Sequence, residues 1–378
     1  MSADEATPEA DRAEGVPHPR ETLALYGQGA AEAQFLDAFN SGKLHHAWLI
    51  SGPRGVGKAT LAWRIARFLL ATPMQEEGGL FGDAPPAPET LEISPDHPVA
   101  RRVAVLSEPR LLLIRRAWDA DKKRLKAVIT VDEVRKLRGF LGLSATDGGR
   151  RVVIVDAADE LNVSAANALL KLLEEPPADT VLLLISHQPS RLLPTIRSRC
   201  RDLRCLPLSP EALSSAIVEA GVEIDADPAA LADLAGGSVG EAIRLSAEGG
   251  LAIYAELAGL FAGLPDFDRQ RALKLAESCA GRGAEARFDL VLTLIDLFLA
   301  RLARAGAGMP PTVEACPGEA DIWARLSPGP GAARHWAEVQ QDLGTRARHG
   351  RAVNLDPAAL ILDMVLKISE TAAPVAAR

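Results

Sequence analysis

The stretch Gly52-Pro53-Arg54-Gly55-Val56-Gly57-Lys58 limits what this chain can fold into more than any other part of it. It follows a short, almost wholly apolar run at 47–50 and precedes a stretch, 61–70, in which Leu61, Ile65, Phe68 and Leu69 fall at helical spacing. An apolar run without alternation reads as a parallel strand buried on both faces. A strand, a glycine-rich turn and a helix in that order let backbone N–H groups converge on phosphate oxygens, while the helix N-terminus adds its partial positive charge. Gly52, Gly55 and Gly57 would shape this cradle and Lys58 would reach the outer phosphates. The position after the lysine calls for a hydroxyl to hold magnesium, and here it is Ala59. Thr60 does not replace it, because one step along a helix turns a side chain by about 100°. A nucleotide site and a loop that keeps its shape without its ligand both fit these residues.

From about 45 to 207 strand-like and helix-like segments alternate, the pattern of an α/β fold with a parallel sheet and helices on its faces. Strands are expected at 111–114, 151–156 and 180–185, with a last one near Cys205-Leu206; helices are expected at 30–39, 131–140 and 164–174. Thr130 and Glu133 have the spacing of a capping box, and Asp147-Gly148-Gly149 reads as a turn. Residues 71–99 hold too many Pro and Gly for a continuous element and read as a loop. Asp156 ends its strand where a hydrolytic site needs a pair of carboxylates, one for metal and one for the attacking water. The next residue is Ala157, and Asp159 and Glu160 fall in the turn beyond it.

Beyond Pro207 no strand is expected. Ser209-Pro210 and Asp227-Pro228 open short helices, and a third covers 239–247. After Gly249-Gly250 come longer helices at 251–261, 267–279, 284–302, 332–345 and 357–369, with 305–331 as the longest loop. The organisation expected is a solvated, disordered tail at 1–20, a sheet domain at 21–208, a small helical segment at 209–249 and a helical domain at 250–378.

With 378 residues, 48% hydrophobic and 24% charged, the chain has the composition of a folded globular protein. No apolar stretch approaches the roughly 20 residues of a membrane span, and the acidic start differs from a signal peptide, so a cytoplasmic protein is expected. A net charge of −8 argues against nucleic-acid binding by bulk electrostatics. Cys200, Cys205, Cys279 and Cys316 have neither disulfide-framework nor paired metal-site spacing and read as packed thiols. His45 and His46, as neighbours on a strand, would face opposite ways and share no metal.

The phosphate loop, the run Asn167-Ala168-Leu169-Leu170-Lys171-Leu172-Leu173-Glu174-Glu175-Pro176-Pro177 and the tetrad Arg197-Ser198-Arg199-Cys200 together resemble the clamp-loader branch of the AAA+ superfamily. The resemblance covers residues 20 to about 250 by motif and the remainder by helical character alone. It implies a RecA-like AAA+ domain, a helical lid and a C-terminal all-α collar. It further implies that Arg199 is an arginine finger offered in trans to the ATP site of a neighbouring gamma/tau subunit. The partners implied are gamma/tau and delta subunits in a hetero-oligomeric ring, with the sliding clamp and primed DNA reached through the complex during DNA replication. Gly52, Gly55, Gly57, Lys58 and Asp156 become a degenerate nucleotide site, with weak ATP or ADP binding left open and no cofactor required. Where active relatives carry a lid arginine this chain has Gly240, and residues 71–128 lack the cysteines of the zinc module found in many relatives, so no zinc is expected. Ala59, Ala157 and Gly240 favour a non-hydrolysing ring subunit over an active ATPase of the same superfamily, whether a gamma-type motor or a branch-migration helicase. A small-molecule kinase would need neither the finger nor a collar.

Overall fold

The computed structural model describes residues 8–12, 16–73, 86–142, 149–223, 227–281 and 283–376. The Asp147-Gly148 turn and residues 74–85 of the expected loop lie outside them. Contacts divide the chain into two compact units, residues 1–222 with 238–240, and residues 223–237 with 241–378.

The first unit is organised by five strands: β1 (Ala47–Ser51), β2 (Leu111–Arg115), β3 (Arg151–Asp156), β4 (Thr180–Ser186) and β5 (Arg201–Arg204). They pair in the order β2-β3-β4-β1-β5, and every pairing is parallel. All of β1 and β4 is buried, which explains why their sequences do not alternate. Each face has its own partners. Leu49, Val153, Val155, Leu182 and Leu184 point into a core with Leu137 of helix α4 (Val131–Gly142), Leu169 and Leu173 of α5 (Val163–Glu174) and Ile196 of α6 (Pro194–Arg197). On the other face Trp48 meets Phe35 of α1 (Gly29–Asn40), ring centroids 5.0 Å apart. Helix α2 (Lys58–Ala71) adds the fully buried Leu61, Trp63 and Ile65 to the core of this unit.

Several expectations are corrected. The last strand is Arg201–Arg204 rather than 205–206, because an edge strand needs only one buried side chain, here Leu203. Helix α3 (Pro98–Ala104) begins within the last two residues of the expected 71–99 loop; its proline is at the start of the helix, where the missing N–H costs nothing. The capping box does not form: Thr130 Oγ1 has no partner, and Glu133 pairs with Lys136 instead. His45 and His46 precede β1, so strand alternation does not separate them and their rings stack 4.3 Å apart. The breaks expected at 208 and 249 do not match the compact units either. Helix α7 (Pro210–Glu219), with Leu213 and Ile217 buried, falls in the same unit as the sheet.

The described part of 8–20 is packed, not a solvated tail. His18 is fully buried, Arg20 donates to Glu9 (2.7 Å) and to the Ala104 carbonyl (3.0 Å), and Arg115 donates to Glu9 (2.9 Å) and Asp11. Burial opposes ionisation of Glu9 and Asp11, but Arg20 and Arg115 at Glu9, and His18 and then Arg115 at Asp11, outweigh it and hold both carboxyls below their usual range.

The second unit is helical: α8 (Pro228–Leu234), α9 (Val239–Ala247, apart from its first two residues), α10 (Gly250–Phe261), α11 (Arg269–Ser278), α12 (Glu285–Gly306), α13 (Glu319–Leu326), α14 (Pro330–Ala352) and α15 (Pro357–Ala376). Helix α13 lies inside the expected 305–331 loop. It is fixed by a buried charge cluster in which Arg301 of α12 donates to Glu319 through Nε and Nη2, both at 2.8 Å. Among the described residues no helix is long and apolar enough to cross a membrane.

Candidate nucleotide site

In an open parallel sheet, ligands bind outside the carboxyl ends of the strands, at the point where the strand order reverses. Here that point lies beside β1, whose neighbours are β4 and β5. Register sets Ser51 level with Ser186 and Arg204, and Asp156 level with Ile185, so β1, β3 and β4 end together.

The loop that follows β1 is held closely. Gly52 has φ 146, and a Cβ there would lie 2.3 Å from the Cys205 carbonyl oxygen; Gly55 has φ 74, and its Cβ would lie 2.1 Å from Ser238 Oγ. Only glycine meets both demands at either position. Gly57 caps α2, and the helix begins at Lys58. The Val239 N–H donates to the Gly55 carbonyl at 2.9 Å, and the Cα of Gly55 lies 3.9 Å from where a Cβ on Gly240 would be. The segment 238–240 thus borders the phosphate loop, with no side chain at 240 to reach into it.

Lys58 is 3% exposed and donates its Nζ to the Pro53 carbonyl; burial pulls it down to about 8. Asp156 is 8% exposed; burial pushes its carboxyl up to about 7, and the charges of Asp11 and Glu160 act in the same direction. Ala157 is buried and offers only a methyl group. Asp159 and Glu160 lie in the expected turn but are otherwise engaged. Asp159 accepts the His187 N–H at 3.0 Å, and Glu160 pairs with Arg116 at 2.7 Å.

Two groups at this edge were not anticipated from the sequence. Ser186 Oγ is fully buried and His187 Nδ1 is buried, neither with a hydrogen-bond partner, and burial pulls His187 down to about 4. Their position just at the end of a central parallel strand was the available signal. Orphaned polar atoms beside a glycine cradle and a buried lysine fit a phosphate-bearing ligand. The same donor set lacks the hydroxyl and the second carboxylate that a magnesium-dependent site uses.

The structure therefore gathers Gly52, Gly55, Gly57, Lys58 and Asp156 at one edge of the sheet. Arg199 follows α6, with its side chain 36% exposed; Nη1 donates to the Thr195 carbonyl (2.9 Å) and Nη2 lies 3.0 Å from Glu174 Oε1. None of these partners belongs to the phosphate loop.

A phosphate loop between β1 and α2, an acidic residue ending β3 and a β2-β3-β4-β1-β5 parallel sheet define an AAA+ type of nucleotide-binding domain. Residues 27–209 match the family described as DNA polymerase III, delta subunit. The chain is 40% identical to DNA polymerase III subunit delta' of Pseudomonas aeruginosa over 208 residues, 54% of this chain and 56% of that one. It is 34% identical to the Escherichia coli subunit delta' over 217 residues, 55% and 56% of the two chains. To the gamma/tau subunit of Mycobacterium bovis it is 29% identical over 211 residues, 55% of this chain and 33% of that one. The matched region spans about half the length of the curated delta' relatives.

Proposed function

We propose that this chain is a non-hydrolysing delta'-type subunit of a bacterial clamp loader, which braces the ring and completes a neighbour's ATP site with Arg199. The observation that carries this reading is the contrast between the two halves of its chemistry. Its own nucleotide site has Ala59 after the phosphate loop's lysine and Ala157 after β3, where a motor needs a hydroxyl and a carboxylate, and a glycine at 240 beside the loop. Arg199 meanwhile stands partly exposed, away from that loop's residues, on a segment where an arginine can serve another subunit. The alternative of an active AAA+ motor has Lys58 and the glycines in its favour but lacks the groups that hold metal and water. Weak, metal-independent binding of ATP or ADP through Lys58 and the loop is part of the proposal, and zinc is not.

Under this reading the helical second unit supplies the collar contacts, gamma/tau and delta are the ring partners, and the sliding clamp and primed DNA are met within the complex in the cytoplasm. The test is subunit omission. Gamma/tau and delta with this chain are expected to load a sliding clamp onto primed DNA in an ATP-dependent reaction, and the same mixture without it should load at least about tenfold more slowly, the loss expected when a site lacks a transition-state group. Equal loading with and without the chain would refute the assignment.

A further inference from the structure

The motif run that ends in Glu174-Glu175-Pro176-Pro177 and the tetrad holding Arg199 are far apart in sequence, yet an ion pair joins them. We propose that Glu174 is the positioning residue for Arg199, fixing the plane in which its guanidinium meets a neighbour's phosphate; this rests on the finger reading given above. Both backbones are anchored. Leu173 and Ile196, next to Glu174 and close before Arg199, lie in the same buried cluster, and the Arg199 N–H donates to the Ile196 carbonyl at 3.1 Å. Helix α5 ends at Glu174, just before the two prolines. Two fixed backbones therefore present a carboxylate and a carbonyl to one guanidinium: Glu174 Oε1 at 3.0 Å from Nη2, and the Thr195 oxygen at 2.9 Å from Nη1.

A guanidinium carries five N–H donors in a planar fork. With one Nη1 donor hydrogen-bonded to the Thr195 carbonyl and Nη2 drawn to the Glu174 carboxylate by charge, the plane is fixed and the remaining donors stay available to an incoming anion. The pair contributes little to stability, because both side chains are partly exposed, at 36% and 45%, and surface ion pairs are weak. Its effect falls on orientation, which matters most in the transition state, where a misplaced charge loses its value.

The experiment is a double-mutant cycle in the complete ring with gamma/tau and delta, reading steady-state ATP turnover during clamp loading. Glu174→Ala is expected to lower kcat roughly three- to tenfold, the scale of coupling between residues in contact, with KM for ATP unchanged. Glu174→Asp, which keeps the carboxylate charge on a shorter side chain, should recover part of that loss, and Glu174→Gln, which removes the charge, should recover less. In the Arg199→Ala background Glu174→Ala should have no further effect. A Glu174→Ala ring that turns over at or above the wild-type rate while Arg199→Ala is impaired would overturn the positioning role, as would losses that multiply in the double variant. If Arg199→Ala itself changes nothing, the finger reading fails instead, so the two failures are distinct.

Discussion

Arg199→Ala should leave the chain folded and the ring assembled while sharply reducing ATP-dependent clamp loading. Little stability depends on this side chain, because its ion pair with Glu174 is half exposed and exposed pairs contribute about 0–1 kcal/mol. Catalytically the expectation is different. An arginine delivered across an interface stabilises charge on the transferring phosphoryl group and is worth about 10³ to 10⁵ in rate, equivalent to roughly 4–7 kcal/mol of barrier. One site of several is affected, so loading by the whole ring should fall by less than the loss at that site. Arg199→Lys should rescue little, since an ammonium lacks the planar fork. Arg204→Ala is the control: Arg204 is an exposed residue on the edge strand β5, and its loss should change loading far less. Wild-type loading by Arg199→Ala with saturating ATP and primed DNA would show that the finger has been misassigned.

The second large effect is on stability and lies in the helical unit. Glu319 is fully buried and accepts four hydrogen bonds: two at 2.8 Å from Arg301, one at 2.5 Å from the Tyr254 hydroxyl and one at 2.7 Å from the Ala315 N–H. Arg301, 1% exposed, also donates to the Val313 carbonyl at 2.9 Å and to Asp233. Truncating one member of such a pair leaves the other charge buried without compensation. Glu319→Ala should therefore destabilise the second unit by about 3–5 kcal/mol. Asp233→Ala should cost less, because its side chain is 21% exposed and water can replace it. Thermal melting, with hydrogen exchange in α12 to localise the loss, measures both; a Glu319→Ala penalty below about 1 kcal/mol would contradict the role given to this cluster.

This cluster also marks where sequence reading stops. Arg301, Glu319, Asp233 and Tyr254 come from four separate helices or their flanks, and nothing local in any of the four segments points to the others. What was legible was local. The phosphate loop is a backbone motif of seven residues in a row whose glycines are fixed by nearby atoms, and β1, β3 and β4 are apolar runs because both faces are covered. Helices α8 and α9 were readable from Asp227-Pro228 and the Gly236-Gly237-Ser238 break, and Asp227 does cap α8 through its carboxylate. The errors have a common cause, in that tertiary contacts overrode composition. The charged stretch around Glu9 and Asp11 reads as solvated until Arg20 and Arg115 pair with it. Strand β5 has one buried residue and so carries no apolar signal. At the site, the sequence supplied the loop, Lys58 and Asp156, but not Ser186 and His187, whose importance comes only from their place at the end of β4, nor the link between Glu174 and Arg199.

The most direct measurement is ATP turnover by the isolated chain in the presence of magnesium, wild type beside Lys58→Ala. With Ala59 and Ala157 in place of the groups that hold metal and water, both proteins should hydrolyse ATP at the same background rate, whether or not nucleotide binds. Turnover of about one per second that disappears in Lys58→Ala, a rate typical of a working phosphoryl-transfer site, would contradict a non-hydrolysing subunit and identify the chain as a motor.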